Sequence, residues 1–373
     1  MTLQELRTPC VLVDWRRLER NIDRMQAAAD AGGLRLRPHA KTHKSPEVAR
    51  LQLARGATGI CCAKLGEAEV FADAGFEDIR LPYPLHPSNA DRVIALLDRT
   101  HLSFIVDNIE VARGWSAAMT AAGREVDVLV KVDVGLHRCG IDPDASGAAE
   151  MVAQVGRLPG LRFRGLLSHA GHAYSASSDD ETRRIAAAEA ATLTGLASQV
   201  GALGVRCEEI SVGATPTARH SATLAGLTEM RPGNYAYYDR MQVALGSATW
   251  DDCALTVLAR VVSRPAADRV ILDSGSKTLT NDVVRGPGET PGYGVVLEAL
   301  DRFSPNRQLV IERLSEEHAK VTVAGGCALA PGDLVRIIPN HSCPVSNLVD
   351  RAWKVDGLNV TGEVEIAARG RIA

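Results

Sequence analysis

The chain has 373 residues, 46% of them apolar and 23% charged, with 42 Lys and Arg against 45 Asp and Glu for a formal net charge of -3. That length and apolar content allow a large core, as two domains or one barrel with an appendage, and argue against global disorder. Near-neutral charge with bases and acids interspersed argues against an electrostatically steered nucleic-acid binder. No apolar run reaches the roughly 20 residues that span a bilayer, so no membrane segment is expected.

The opening "MTLQELRTPC" lacks the charged-then-apolar order of a secretion signal, and a soluble cytoplasmic protein is expected. The eight cysteines are scattered and form no CxxC pair; most read as reduced, buried small apolar residues, with Cys343 set apart below. "LRTPCVLVDW" is strand-like. From about Leu34 to Tyr238 short strand-like runs ("LRLRPHA", "TGICCA", "DIRLPYP", "LSFIVD", "VDVLVKVD", "LRFRGLLSHA", "EEISVG", "EMRPGNY") alternate with amphipathic stretches such as "SPEVARLQLARG" and "LGEAEVFADAG". Eight such alternations predict a (β/α)8 barrel of TIM type. An open doubly wound sheet is the competitor, but no GxGxxG opens the first unit. After about Gly246, runs such as "CALTVLARVVSRP", "DRVILDSGSK" and "GDLVRIIPN" alternate with period two, which predicts a C-terminal antiparallel β domain. The predicted division is a barrel over 14–245 and a β domain made of 1–13 plus 246–373.

Barrel enzymes carry reactive groups at the C-terminal ends of the strands. Those ends hold His39 and Lys41, Cys62 and Lys64, Tyr83, Asp107, Asp133 with His137 and Arg138, Ser168, His169, His172 and Tyr174. Gly213 and Thr215 follow, then Arg231, Gly233 and Asn234. Polar and ionisable residues thus gather at the rim where a barrel keeps its site. The first end, "RLRPHAKTHKSPEVAR", is also readable as an ordinary charged loop.

The motifs "PHAKTHK", "LHRCG", "SHAGHAY", "GATPT", "RPGNYAYYD" and "PNHSCPVSNLV" resemble the D-threonine aldolase and eukaryotic-type D-serine dehydratase family, across essentially the whole chain. That family has the alanine-racemase-like fold of pyridoxal-phosphate enzymes, a barrel followed by a β domain. The resemblance implies that Lys41 is the cofactor's Schiff-base lysine, as the chemistry requires of a desolvated amine. Lys44 is the competing lysine, and His39 and His43 are either partners in the site or structural. Thr215, Gly233 and Asn234 are assigned by resemblance to the phosphate, with Tyr174 as a further contact. Arg138 and Arg231 are the candidates to face the pyridine nitrogen, and an arginine there can only donate. His169 is placed near the ring. In "PNHSCP", His341 and Cys343 point the same way if the segment is extended. Imidazole plus thiolate suits Zn²⁺, with Mn²⁺ as the other choice, and two protein ligands leave open positions for a catalytic ion. "LDSGSKTLTND", with Asp273, Lys277 and Asp282, either lines the site or forms a charged turn.

The expected activity is cleavage of D-β-hydroxy-α-amino acids to glycine and an aldehyde, with His43 or a water on the metal as base. The runner-up is a dehydratase giving a 2-oxo acid and ammonia, in which Lys41 removes the α-proton. A non-catalytic pyridoxal-phosphate carrier, a metal-dependent barrel hydrolase and a racemase using Tyr293 are further alternatives. The resemblance also implies a homodimer acting on a small-molecule D-amino acid.

Overall fold

The alternation of short apolar runs with amphipathic stretches builds a parallel sheet wrapped in helices. The computed structural model describes residues 1–284 and 291–373. After β1 (Cys10–Asp14) and α1 (Trp15–Ala31) come β2 (Arg35–Leu36), α2 (Pro46–Ala54), β3 (Ile60–Cys61), α3 (Leu65–Asp73), β4 (Asp78–Pro84), α4 (Ala90–Leu97), β5 (His101–Val106) and α5 (Ile109–Ala121). The barrel continues through β6 (Val126–Lys131), α6 (Ala148–Val155), β7 (Leu161–Leu167), α7 (Asp179–Ala202), β8 (Glu209–Val212), α8 (Thr215–Ser221) and β9 (Glu229–Met230).

The eight parallel strands run in the order β2-β9-β8-β7-β6-β5-β4-β3. A parallel bridge between His39 and Cys61, with Cys61 N–H donating to Pro38 O at 2.8 Å, joins the two ends of that path and closes the barrel. Strands covered on both faces need apolar residues throughout, and β6 is buried along its length. Helix starts are marked by capping side chains: Asp14 accepts from Arg17 N–H at 3.1 Å, and Asn108 from Glu110 N–H at 2.8 Å. The strand pairing is shorter than the sequence runs suggest. The regular ladder of "LRLRPHA" with β9 is limited to Arg35 and Leu36, ahead of Pro38, which has no N–H to donate.

The second sheet follows α9 (Arg240–Ala244). It comprises β10 (Leu255–Ala266), β11 (Arg269–Leu272), β12 (Val295–Val296), β13 (Leu309–Leu314), β14 (Ala319–Val323), β15 (Leu334–Ile338), β16 (Arg351–Asp356) and β17 (Asn359–Glu365). Two short helices interrupt it, α10 (Ser276–Leu279) and α11 (Ser342–Ser346). Strand β1 lies inside this sheet, antiparallel to β10 and parallel to β16, so the first strand of the chain belongs with its last ones. One core cluster runs continuously from barrel to sheet. No helix among the described residues is long and apolar enough to cross a membrane, and all eight cysteines are free.

Inside the barrel, away from the strand ends considered next, charges meet in pairs. Arg80 on β4 donates to Glu229 at 2.5 Å, to Glu209 at 2.7 Å and to Ser103 at 2.9 Å. Arg37 donates to Glu229 at 2.8 Å and to Asp78 at 2.7 Å. Because β4 is not a neighbour of β8 or β9 in the sheet, these contacts cross the barrel interior. Burial alone would raise the Glu229 carboxyl, but Arg80 and Arg37 hold it down at about 2.

Candidate active site

The strand ends and the start of α11 enclose a cavity of about 470 Å³. Of the residues singled out by sequence, Lys41, Arg138, His169, Tyr174, Thr215, Arg231, Gly233, Asn234, His341 and Cys343 all line it; His43 does not.

Lys41 lies in the single 3₁₀ turn Ala40–Thr42 that follows His39. Burial lowers the pKa of its amine, Arg138 and Arg231 add to that effect, and Cys343 and Glu67 oppose it. No hydrogen-bond acceptor holds Lys41 Nζ among the described residues. Lys44 is separated from it by a left-handed backbone at Lys44, φ 51°. Its amine is committed elsewhere, to Glu67 at 2.9 Å and Asn347 at 2.8 Å. The choice between the two lysines is therefore geometric.

His43, expected as a catalytic base, is fully buried outside the cavity. Its Nδ1 accepts from Ser45 N–H at 3.1 Å, so Nε2 carries the proton and donates to Gln52 Oε1 at 3.2 Å. Gln52 in turn donates to the Tyr235 hydroxyl at 2.9 Å. Burial brings the His43 pKa down to about 4, leaving a neutral ring with no free lone pair. The cause is local: with about three residues per 3₁₀ turn, side chains two apart face different ways. His39 keeps its place at the cavity, its Nδ1 accepting from Lys41 N–H at 3.4 Å.

Opposite Lys41, His169 Nδ1 donates to Gly213 O at 2.5 Å, and burial holds this ring neutral as well. Buried Arg231 is tethered by Nε to Ser211 Oγ at 2.7 Å and by one terminal nitrogen to Ser168 O, with the rest of its fork toward the cavity. Arg138 rides on a loop stapled by two carboxylates. Asp133 accepts from the amides of Gly135 and His137, both at 3.0 Å, and Asp107 accepts from Gly140 N–H at 2.9 Å. Those two acids, singled out at the strand ends, thus shape the loop.

At the ends of β8 and β9, Thr215 Oγ1 is buried beside the Tyr174 hydroxyl and has no other hydrogen-bond partner among the described residues. The amides of Gly233 and Asn234 make no backbone hydrogen bond there either. Gly233 has no room for a side chain, since a Cβ would stand 2.8 Å from His39 O. Burial pushes the Tyr174 hydroxyl up, so it stays protonated and able to donate. Unused donors beside an unpaired amine fit the phosphate and carbonyl of pyridoxal phosphate.

The metal pair arrives by a different route from the one its spacing suggests. The segment is not extended: His341 is the N-cap of α11 and Cys343 lies in its first turn, yet both face the cavity. Burial opposes ionisation of the Cys343 thiol, but His341 beside it outweighs burial and brings its pKa below the ordinary value. Thr42 Oγ1 lies 3.2 Å from Cys343 Sγ, linking the lysine turn to α11. An imidazole and a readily ionised thiol are a donor set for a borderline-soft divalent ion.

Of the acidic and basic residues in "LDSGSKTLTND", Asp282 lines the cavity and accepts from His341 Nδ1 at 2.6 Å. Lys277 is exposed against Glu316 and Glu317, and Asp273 accepts from Thr8 and from Arg260 N–H. Lys131, Met241 and Pro82 line the cavity without having been picked out by sequence. Lys131 was legible: a lysine closing the buried strand β6 is itself a signal. Burial and Arg231 bring its amine down to about 7.

The chain matches a family model described as "Alanine racemase, N-terminal domain" over residues 13–241 and one described as "Putative serine dehydratase domain" over residues 254–355. It is 36% identical to a D-threonine aldolase of Arthrobacter sp., with 99% of this chain and 94% of that one covered. It is 35% identical to a D-threo-3-hydroxyaspartate dehydratase of Delftia sp., with 92% of each covered. The solved structure of the Delftia protein superposes with a TM-score of 0.90 at 33% identity, covering 98% of each chain. That of a D-threonine aldolase from Filomicrobium marinum gives 0.88 at 30% identity, covering 100% of this chain and 98% of the other.

Proposed function

The chain belongs to the alanine-racemase-like family of D-threonine aldolases and D-serine dehydratases, and from that membership we propose a pyridoxal-phosphate- and divalent-metal-dependent lyase that cleaves D-β-hydroxy-α-amino acids of the D-threonine type to glycine and an aldehyde. One observation carries the reading: a half-buried lysine on the barrel, its amine unpartnered among the described residues, and a His/Cys pair on the β domain face the same cavity.

Pyridoxal phosphate supplies an electron sink for a bond broken at the substrate's α-carbon. Lys41 Nζ would hold it, since burial lowers the pKa of that amine and so favours the neutral nucleophile a carbonyl needs. Thr215, the amides of Gly233 and Asn234, and the Tyr174 hydroxyl hold its phosphate. Arg231 and Arg138 offer only N–H donors to the ring, and an arginine cannot lend the pyridine nitrogen a proton. The ring is then a weaker sink, and help at the β-hydroxyl becomes useful. His341 and Cys343 hold the divalent ion, whose charge lowers the pKa of a hydroxyl beside it. His169, fixed by Gly213 O, orients the ring side of the cavity.

With His43 turned into the core, Lys41 Nζ is a protein base that does face the cavity, in company with Lys131. That observation favours a second reading, in which Lys41 takes the α-proton and the β-hydroxyl leaves, giving a 2-oxo acid and ammonia. Product analysis separates the two. Protein loaded with pyridoxal phosphate and Zn²⁺ or Mn²⁺ is given D-threonine and D-serine. Glycine with acetaldehyde establishes the aldolase, and a 2-oxo acid with ammonia establishes the dehydratase. No product from either substrate would overturn the proposal.

A further inference from the structure

Asp282 stands where the chain leaves α10, and the backbone there is forced. Thr280 is a non-glycine residue at φ 65°, a left-handed conformation that persists only where the surroundings dictate it. Asp282 N–H donates back to Thr280 Oγ1 at 3.3 Å. The Asp282 carbonyl accepts from Asn340 Nδ2 at 2.8 Å, and buried Asn340 also bonds Gly292 O at 2.9 Å and Arg240 at 3.2 Å. The next residue, His341, places Nδ1 2.6 Å from Asp282 Oδ2. Two consecutive residues therefore grip Asp282, one by its backbone and one by its carboxylate.

A carboxylate can only accept, so His341 Nδ1 carries the hydrogen. Among the described residues no third Asp, Glu, His or Cys joins His341 and Cys343 as a ligand group. Asp282 instead occupies the nitrogen of the ring that a metal would not use. Imidazole ligands commonly donate their second N–H to a carboxylate, which fixes tautomer and ring orientation and raises the ligand's basicity.

We infer that Asp282 is a positioning residue which locks His341 in its Nδ1–H tautomer and presents Nε2, beside the Cys343 thiol, to a divalent cation. This rests on the reading of His341 and Cys343 as metal ligands. The Asp282 side chain is 44% exposed, so replacing it empties no core.

The test is metal affinity, read independently of turnover. Wild type, Asp282→Ala and Asp282→Asn, all loaded with pyridoxal phosphate, are stripped with a chelator and titrated with Zn²⁺ against a chromophoric competitor. Asp282→Ala is expected to bind Zn²⁺ about 10–100-fold more weakly. Asp282→Asn, whose amide oxygen still accepts from Nδ1–H, should fall between, with cofactor absorbance and melting temperature unchanged in both. An Asp282→Ala affinity within about two-fold of wild type overturns the inference, as does a parallel loss of cofactor. Wild type that binds no Zn²⁺ overturns the metal reading itself, and that failure shows before any variant is made.

Discussion

The barrel holds two clusters of charge, one buried in its interior and one lining the cavity at the strand ends. In the inner one, Arg37 and Arg80 meet Glu229, Glu209 and Asp78, and each cation has a carboxylate within 2.9 Å. At the strand ends Lys41, Lys131, Arg138 and Arg231 line one cavity, and no ion pair links any of them to a carboxylate among the described residues. Arg37 and Arg80 in the first cluster and Lys131 and Arg231 in the second are buried, and buried charge is tolerated only when compensated. The paired cluster is compensated within the fold. The unpaired one leaves its cations available to anions, and under the proposed function the phosphate and carboxylate of a cofactor–substrate pair would be such anions. The placement of unmatched charge, rather than the amount of charge, separates scaffold from site.

The sharpest way to break this comparison is to remove one group from each cluster. Lys41→Ala should lower turnover by at least about 10³-fold, as expected for loss of a covalent group, and should abolish the cofactor's visible absorbance while thermal stability stays level. Glu229→Gln should do the reverse. It leaves Arg80 with Glu209 and Arg37 with Asp78 as their remaining carboxylates, so two buried cations share one fewer counter-charge, and breaking a buried pair costs up to about 3–5 kcal/mol. Denaturant unfolding measures that loss, and the cofactor should still bind below the unfolding midpoint. If Glu229→Gln instead lost cofactor at full stability, the inner cluster would belong to the site.

Much of this was legible because the chemistry imposes spacing. Eight apolar runs separated by amphipathic stretches gave the strand order its raw material, and glycine and hydroxyl residues after the last two strands marked where donors are left free. The failures share a cause. His43 is readable from sequence either as a site partner or as structural, and the 3₁₀ turn, which sends residues two apart to different sides, puts it outside the cavity. His341 and Cys343 were paired on the assumption of an extended chain, and a helix start brought them together instead. Asp282 meets His341 across 59 positions of sequence, a contact that no local period encodes. Local pattern reports which face of its own element a residue occupies, and tertiary packing alone reports what that face meets.

Lys131 tests the comparison from the other side. Its amine is buried, unpaired and brought down to about 7 by burial and Arg231. Because the unfolded lysine binds its proton more tightly, wild-type stability should rise with pH from about 7 toward about 10.5, and the penalty is complete below 7. Lys131→Met, measured on cofactor-free protein, should therefore be more stable than wild type by about 1 kcal/mol at pH 6. The advantage should fade by pH 10. A destabilised Lys131→Met would mean that the amine has a partner the fold depends on.

The smallest effect lies at the outer edge of the paired cluster. His101 meets Asp127 at 3.0 Å and Asp78 at 3.3 Å, and those two carboxylates lift its pKa to about 9 despite burial. A raised folded pKa means that the imidazolium contributes its full stabilisation below the unfolded value near 6.5 and loses it as pH rises through about 9. The ring is 45% exposed, so screening keeps the contribution under about 1 kcal/mol. That increment is lost between pH 6.5 and 9.5, and His101→Gln should remove this falling component from the stability–pH profile without changing turnover. In the same window Lys131 drives stability upward, so the two variants should tilt the pH profile in opposite directions: removing the paired cation takes away a falling component, and removing the unpaired one takes away a rising component. If both variants tilted the profile the same way, pairing would not be what distinguishes the two clusters.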